Sequence, residues 1–156
     1  MITKVVNLSI HQIGVTAFSD YGKDICSITS DVSDLLRSVS MMKAYGGTNI
    51  TDGLSTSYKK LLKSEMNDRI IILMTDGRPN SGDRSAEIAT MIRREYNIRL
   101  AVIFIGPPSD RGYQIAESVA SSNIITGERP LFYTSQSMSE LGNIFQRVYT
   151  DITARK

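Results

Sequence analysis

Arg69-Ile-Ile-Ile-Leu-Met-Thr-Asp-Gly-Arg-Pro-Asn80 is the stretch whose reading decides the fold. Its first half is a continuous apolar run rich in β-branched residues, which predicts a strand buried on both faces of a parallel sheet, because a half-solvated strand would alternate. Its second half is a turn string that ends the strand. Beyond it, Ile88, Met91 and Ile92 recur at helical spacing within about Asp83 to Tyr96, and a second apolar run, Ile98 to Ile105, follows. Strand, helix, strand in that order is the unit that builds parallel sheets. The alternation continues through a shorter helix over Tyr113 to Ser121 and a short strand over Pro130 to Thr134. Met138, Leu141, Phe145, Val148, Tyr149 and Ile152 then mark a final amphipathic helix.

Towards the N-terminus the signals change. Residues 12–18 read as a strand that stops at the turn cluster Ser19-Asp20-Tyr21-Gly22, and Lys23 to Ile28 forms a second short run. The gap between them is too short for a parallel crossover, so this pair is antiparallel. From Asp31 onward, Val32, Leu35, Leu36, Val39 and Met42 predict an amphipathic helix ending before Gly46-Gly47. Another helix opens at Thr51-Asp52, with Leu54, Tyr58, Leu61 and Leu62 on one face. Together these elements predict a single α/β domain over residues 1–156. Its architecture is three-layer and doubly wound (Rossmann-like), a mostly parallel sheet carrying one antiparallel edge strand.

Composition narrows the function. Eighteen basic residues against 16 acidic ones give a net charge of +2. With no interleaved basic and aromatic stripe, nucleic acid is not the expected partner. The longest apolar runs fall far short of the roughly 20 residues a membrane helix needs. The single cysteine, Cys26, excludes an internal disulfide and a Cys/His zinc cluster, and reads as a small buried hydrophobe. His11 is the only histidine; at a strand start it reads as an exposed or hydrogen-bonded residue and not as part of a triad. Arg93-Arg94 reads as the solvated face of its helix.

Ligands of open parallel sheets bind beyond the carboxyl ends of the strands. That rule points to the loops 19–23, 75–80 and 106–110, which the inter-helix loop 45–52 joins if the preceding helix runs back across the sheet. Asp76, directly after a buried strand, is placed to face a cation there; the competing reading is a helix cap or an Asx turn. Gly46-Gly47-Thr48-Asn49 lets backbone approach a ligand closely and supplies a hydroxyl, and the competing reading is a flexible connection with Thr51 or Asp52 as the helix cap. No Gly-x-x-x-x-Gly-Lys-Ser/Thr phosphate loop occurs.

Three segments, Ile13-Gly-Val-Thr-Ala-Phe-Ser19, Gly46-Gly-Thr-Asn-Ile-Thr-Asp-Gly-Leu54 and Ile70-Ile-Ile-Leu-Met-Thr-Asp-Gly-Arg-Pro79, resemble in order and spacing the von Willebrand factor type A domain. The resemblance implies a metal ion-dependent adhesion site for magnesium or manganese, in which Thr48 matches the family threonine and Asp76 the family aspartate. It implies a non-enzymatic module that binds a protein partner, an acidic side chain of the partner supplying the last ligand. Hard divalent cations suit such oxygen donors. The family's Asp-x-Ser-x-Ser loop has no counterpart at the required place, so the site is expected to be partial. The central strand that carries the loop is expected to be missing, and the gap to be filled by a second copy, a domain swap or another subunit. A metal-dependent hydrolase or phosphotransferase using Asp76, and a metal-free scaffold subunit, are the alternatives. Two sequons occur, Asn7-Leu-Ser9 and Asn49-Ile-Thr51; a glycan on the second would obstruct Thr48, and with the lone cysteine this favours the cytoplasm.

Overall fold

The computed structural model describes residues 11–154, which divide into two compact units. One comprises residues up to Asn67 together with Pro79–Arg84; the other comprises Asp68–Arg78 and everything from Ser85 onward. The strands form two sheets, an antiparallel pair in the first unit and a parallel three-stranded sheet in the second. The expected α/β architecture is present, with the antiparallel pair forming a sheet of its own.

In the first unit, β1 (Ile13–Phe18) and β2 (Gly22–Thr29) make the expected hairpin, with register irregularities around Val15. Lys60 answers the irregularity: its ammonium donates to the carbonyls of Val15 (2.7 Å) and Cys26 (3.0 Å) and pairs with Asp24 at 2.6 Å. Cys26 is buried on β2, as expected. The helix α1 (Val32–Ser40) is capped by Asp31, whose carboxylate accepts from the amides of Ser33 and Asp34. It is shorter than its pattern suggested: it stops at Ser40, and Met42 lies outside it. Only Leu35 of its apolar face is buried, while Leu36, Val39 and Met42 are exposed. The next helix, α2 (Ile50–Leu62), packs on both hairpin strands.

The second unit is built on β3 (Ile70–Thr75), β4 (Arg99–Ile105) and β5 (Leu131–Ser135), ordered β3-β4-β5 and all parallel. β4 is central and buried from Leu100 to Phe104. One face of the sheet carries α3 (Ser85–Tyr96) and α4 (Arg111–Ser122), packed on each other. The other face carries α5 (Leu141–Ala154), whose Leu141, Ile144 and Val148 join Ala101, Ile103, Leu131 and Tyr133 in one cluster. Met138, expected to open this helix, sits in a preceding 3-10 turn and is exposed.

Two expectations are corrected here. The Ile70–Met74 run is not buried on both faces: β3 is an edge strand of its sheet, and Ile72 and Met74 are 40% and 41% exposed. Ile72 and Met74 lie in register with Ala101 and Ile103, on the face that α5 covers over β4 and β5. An unbroken apolar run reports the need for cover but not its source. Arg93 is not solvated either. It is 9% exposed, donating to Asn97 Oδ1 (2.7 Å) and Glu128 Oε1 (2.8 Å), while Arg94 is exposed as expected. Asn97 holds a left-handed backbone (φ 52°), a conformation Asn tolerates better than most residues, and its side chain thereby closes the turn after α3.

Candidate functional site

In the first unit the site is organised around Gly46 to Asn49. Asn49 is the helix cap of α2, its Oδ1 accepting from the Asp52 amide at 2.9 Å, so neither Thr51 nor Asp52 fills that position. Asp52 instead accepts from the amide of Gly22, and the Thr51 hydroxyl accepts from the Arg84 amide (2.8 Å) and donates to Asp83 (3.2 Å). The hairpin turn is thereby tied to the start of α2. Asn49 strengthens the tie, its amide donating to the Ser19 carbonyl (2.6 Å) and its side-chain NH2 to the Asp20 carbonyl (3.0 Å). Both halves of the Asn49 carboxamide are therefore engaged, the oxygen with the Asp52 amide and the NH2 with the Asp20 carbonyl.

Thr48 itself is held by its backbone. Its amide donates to Asn80 Oδ1 (2.9 Å), and its carbonyl accepts from the Asn80 amide (2.8 Å). One residue earlier, the Gly47 amide donates to Asp20 Oδ1 at 2.7 Å. The glycines are required by this crowding as well as by the φ of 75° at Gly46. A Cβ on Gly46 would lie 2.6 Å from Asp20 Oδ2, and one on Gly47 would lie 2.6 Å from Asn80 Oδ1. The Thr48 hydroxyl has no protein partner among the described residues. Beside this loop, Tyr21 and Tyr45 are both exposed, and their hydroxyl hydrogen bond holds the Tyr21 proton above the ordinary tyrosine range.

Asp76 belongs to the second unit, in the loop that leaves the carboxyl end of β3. It is exposed, and its carboxylate has no hydrogen bond or ion pair among the described residues, so it neither caps α3 nor closes an Asx turn. The cap in this loop cluster is Asp110. Its Oδ1 accepts from the Gly112 amide (2.7 Å) at the start of α4 and from Arg78 Nε (3.4 Å). Chiefly the amide bond, and then Arg78, hold the Asp110 carboxyl below the usual range. Gly112 has no room for a side chain, since a Cβ there would lie 2.8 Å from the Gly77 carbonyl. The loops 75–78 and 106–110 thus meet at the carboxyl ends of β3 and β4.

Thr48 and Asp76 are hard oxygen donors of the type magnesium and manganese accept. Among the described residues, no group of three or more His, Cys, Asp or Glu is arranged to hold a metal ion. Each of the two side chains fits such an ion by donor type. Asp20 and Asn80 were not singled out from sequence, whereas Asn49 was, as the end of the Gly46–Asn49 candidate and not as the cap it proves to be. The only signal for Asp20 and Asn80 was their position in turn strings, because pairing across 27 to 32 residues leaves no local mark.

A parallel sheet wrapped by helices, with oxygen-bearing loops at its carboxyl ends, is the architecture of the α/β ligand-binding domains. Within that class the chain belongs to the von Willebrand factor type A domain family, whose profile matches residues 3–147. Inter-alpha-trypsin inhibitor heavy chain H4 of Bos taurus is 27% identical over 128 residues, covering 77% of this chain and 14% of that protein. The chain thus spans about a seventh of the curated relative it matches. Among solved structures, BatB from Bacteroides thetaiotaomicron superposes with a TM-score of 0.77 at 15% identity, over 98% of this chain and 83% of that one. Proximal thread matrix protein 1 of the mussel byssus, with a zinc-occupied metal ion-dependent adhesion site, gives 0.70 at 22% identity over 90% and 35%. Manganese-loaded TRAP of Plasmodium vivax gives 0.67 at 22% identity over 93% and 60%. At these identities the structures establish the shared fold.

Proposed function

We propose that this chain is a non-enzymatic protein-binding module, and that Thr48 and Asp76 are its share of a partial metal ion-dependent adhesion site for magnesium or manganese, with an acidic side chain of the partner as last ligand. What carries the reading is that the Thr48 hydroxyl and the Asp76 carboxylate, the two groups matching the family site, are also polar groups spared by the protein's own hydrogen bonds. Membership of a family of interaction domains supports the binding role. The hydrolase reading lacks support at Asp76, where among the described residues no His, Lys or second carboxylate is bonded to the carboxylate to take part in proton transfer. The exposed apolar residues of β3 favour cover by a partner chain or a second copy. The lone cysteine favours the cytoplasm, as does the Asn49 sequon beside Thr48, where a glycan would obstruct the proposed site.

Calorimetric titration of magnesium and manganese into the isolated chain, alongside a turnover assay on phosphate esters, tests this. Expected is millimolar or weaker binding, reduced by Asp76→Ala and Thr48→Ala, with no turnover. Submillimolar binding by the isolated chain would contradict the partial site, and turnover lost in Asp76→Asn would establish the enzyme instead.

A further inference from the structure

We infer that Asp20 and Asn80 are positioning residues, a two-sided clamp whose role is to present the Thr48 hydroxyl. The inference rests on Thr48 being the binding residue proposed above and adds the groups that set it.

The clamp is visible in where hydrogen bonds are spent. Asp20 takes the Gly47 amide from one side, and Asn80 takes both the amide and the carbonyl of Thr48 from the other. Ser19 and Asn49 lock the next residue through the 2.6 Å bond between the Asn49 amide and the Ser19 carbonyl. The backbone of residues 47 to 49 is thus tied down through all three amides, while the one side-chain hydroxyl among them is left unbonded. A loop evolved only to connect α1 and α2 has no need of two distant anchors on three residues. It would also use the hydroxyl locally, as Ser38, Ser57 and Thr90 use theirs on helix carbonyls. Gly47 sharpens the point, because a side chain there would displace the Oδ1 atoms of both Asp20 and Asn80, the oxygens that hold the loop. A free donor on an immobilised backbone is preorganised for an external ligand.

The test is residue-resolved amide hydrogen exchange on the whole chain, together with the side-chain coupling constants that report the Thr48 rotamer. Asp20→Ala is expected to speed exchange at Gly47 about tenfold or more, and Asn80→Ala to do the same at Thr48, while Ile103 in β4 keeps its protection. Asp20→Asn and Asn80→Asp, which retain an acceptor oxygen, are expected to restore part of it. In both alanine variants the Thr48 rotamer becomes averaged with little change in Tm, a signature a merely structural bond would not give. Thr48→Ala is expected to leave Gly47 protection unchanged, since the hydroxyl takes no part in the clamp. Unchanged exchange in both alanine variants would overturn the proposal, as would loss of protection throughout β2 or opening of the loop by Thr48→Ala. No metal or partner enters this measurement, so its result is independent of the metal titration.

Discussion

β4 and β1 are both apolar strands, yet they live in different surroundings. From Leu100 to Phe104, β4 is sealed between helices on its two faces and strands on its two edges, and Ala101 to Phe104 have no exposed surface. In β1, every residue from Ile13 to Phe18 is only half-buried. β3 stands between the two cases, with Ile71 and Leu73 buried and Ile72 and Met74 open. The difference teaches that the apolar content of a strand sets how much cover it demands, while the neighbours present decide how much it receives. Where demand exceeds supply, apolar surface is left in water, as at Ile72 and Met74.

The largest expected effect tests that contrast directly. Ile103→Ala should cost about 2 to 5 kcal/mol, because it empties a site with no exposure. Ile72→Ala should cost less than about half as much, since the side chain is already partly in water. Equal losses in denaturant titrations would mean that β3 is as enclosed as β4. Next in size is Glu128→Ala. It strips a partner from the buried Arg93 guanidinium and should cost about 1 to 3 kcal/mol, read by the same titration. Lys60→Met keeps the aliphatic stem but loses the donors to the Val15 and Cys26 carbonyls. A loss of about 1 to 2 kcal/mol is expected, appearing first as faster amide exchange in β1 and β2.

Asp76→Ala and Thr48→Ala should change stability by no more than about 0.5 kcal/mol, as neither side chain holds the protein together. If thermal melts show Asp76→Ala to be as damaging as Ile103→Ala, Asp76 is structural and the site assignment fails. The smallest effect belongs to Asp110. Its carboxyl is held below the usual range in the folded chain, so its contribution is present above the unfolded value of about 3.9 and is lost as pH falls through the lower folded value. Asp110→Asn should therefore flatten the loss of stability below about pH 4 and leave the neutral-to-alkaline behaviour unchanged. A steeper acid limb in the variant would reverse that sign.

Much of the fold was legible in the sequence because it rests on local signals. The runs at Ile70 and Ile98, the helical spacing between them, and the short gap at Ser19 to Gly22 gave the parallel sheet and the hairpin. Thr48 and Asp76 were proposed through their motifs, and that assignment rests on the resemblance. What was not legible depends on partners distant along the chain. Arg93 looked like any surface arginine until Glu128 folded back onto it, and nothing near Asn80 announces that it will hold Thr48. The open face of β3 was misread for the same reason, since Ile72 and Met74 are as apolar as residues buried on both sides.

The most direct measurement of whether these open strands are interaction surface is the solution mass of the purified chain by light scattering at micromolar concentration, with no other protein present. Expected is a mass well above the 17.3 kDa of one chain, as copies cover one another's apolar strands, falling towards one chain when Ile72 and Met74 are both replaced by lysine. A stable, cooperatively folded monomer at that concentration would contradict the claim and show that β1 and β3 tolerate their exposure without a partner.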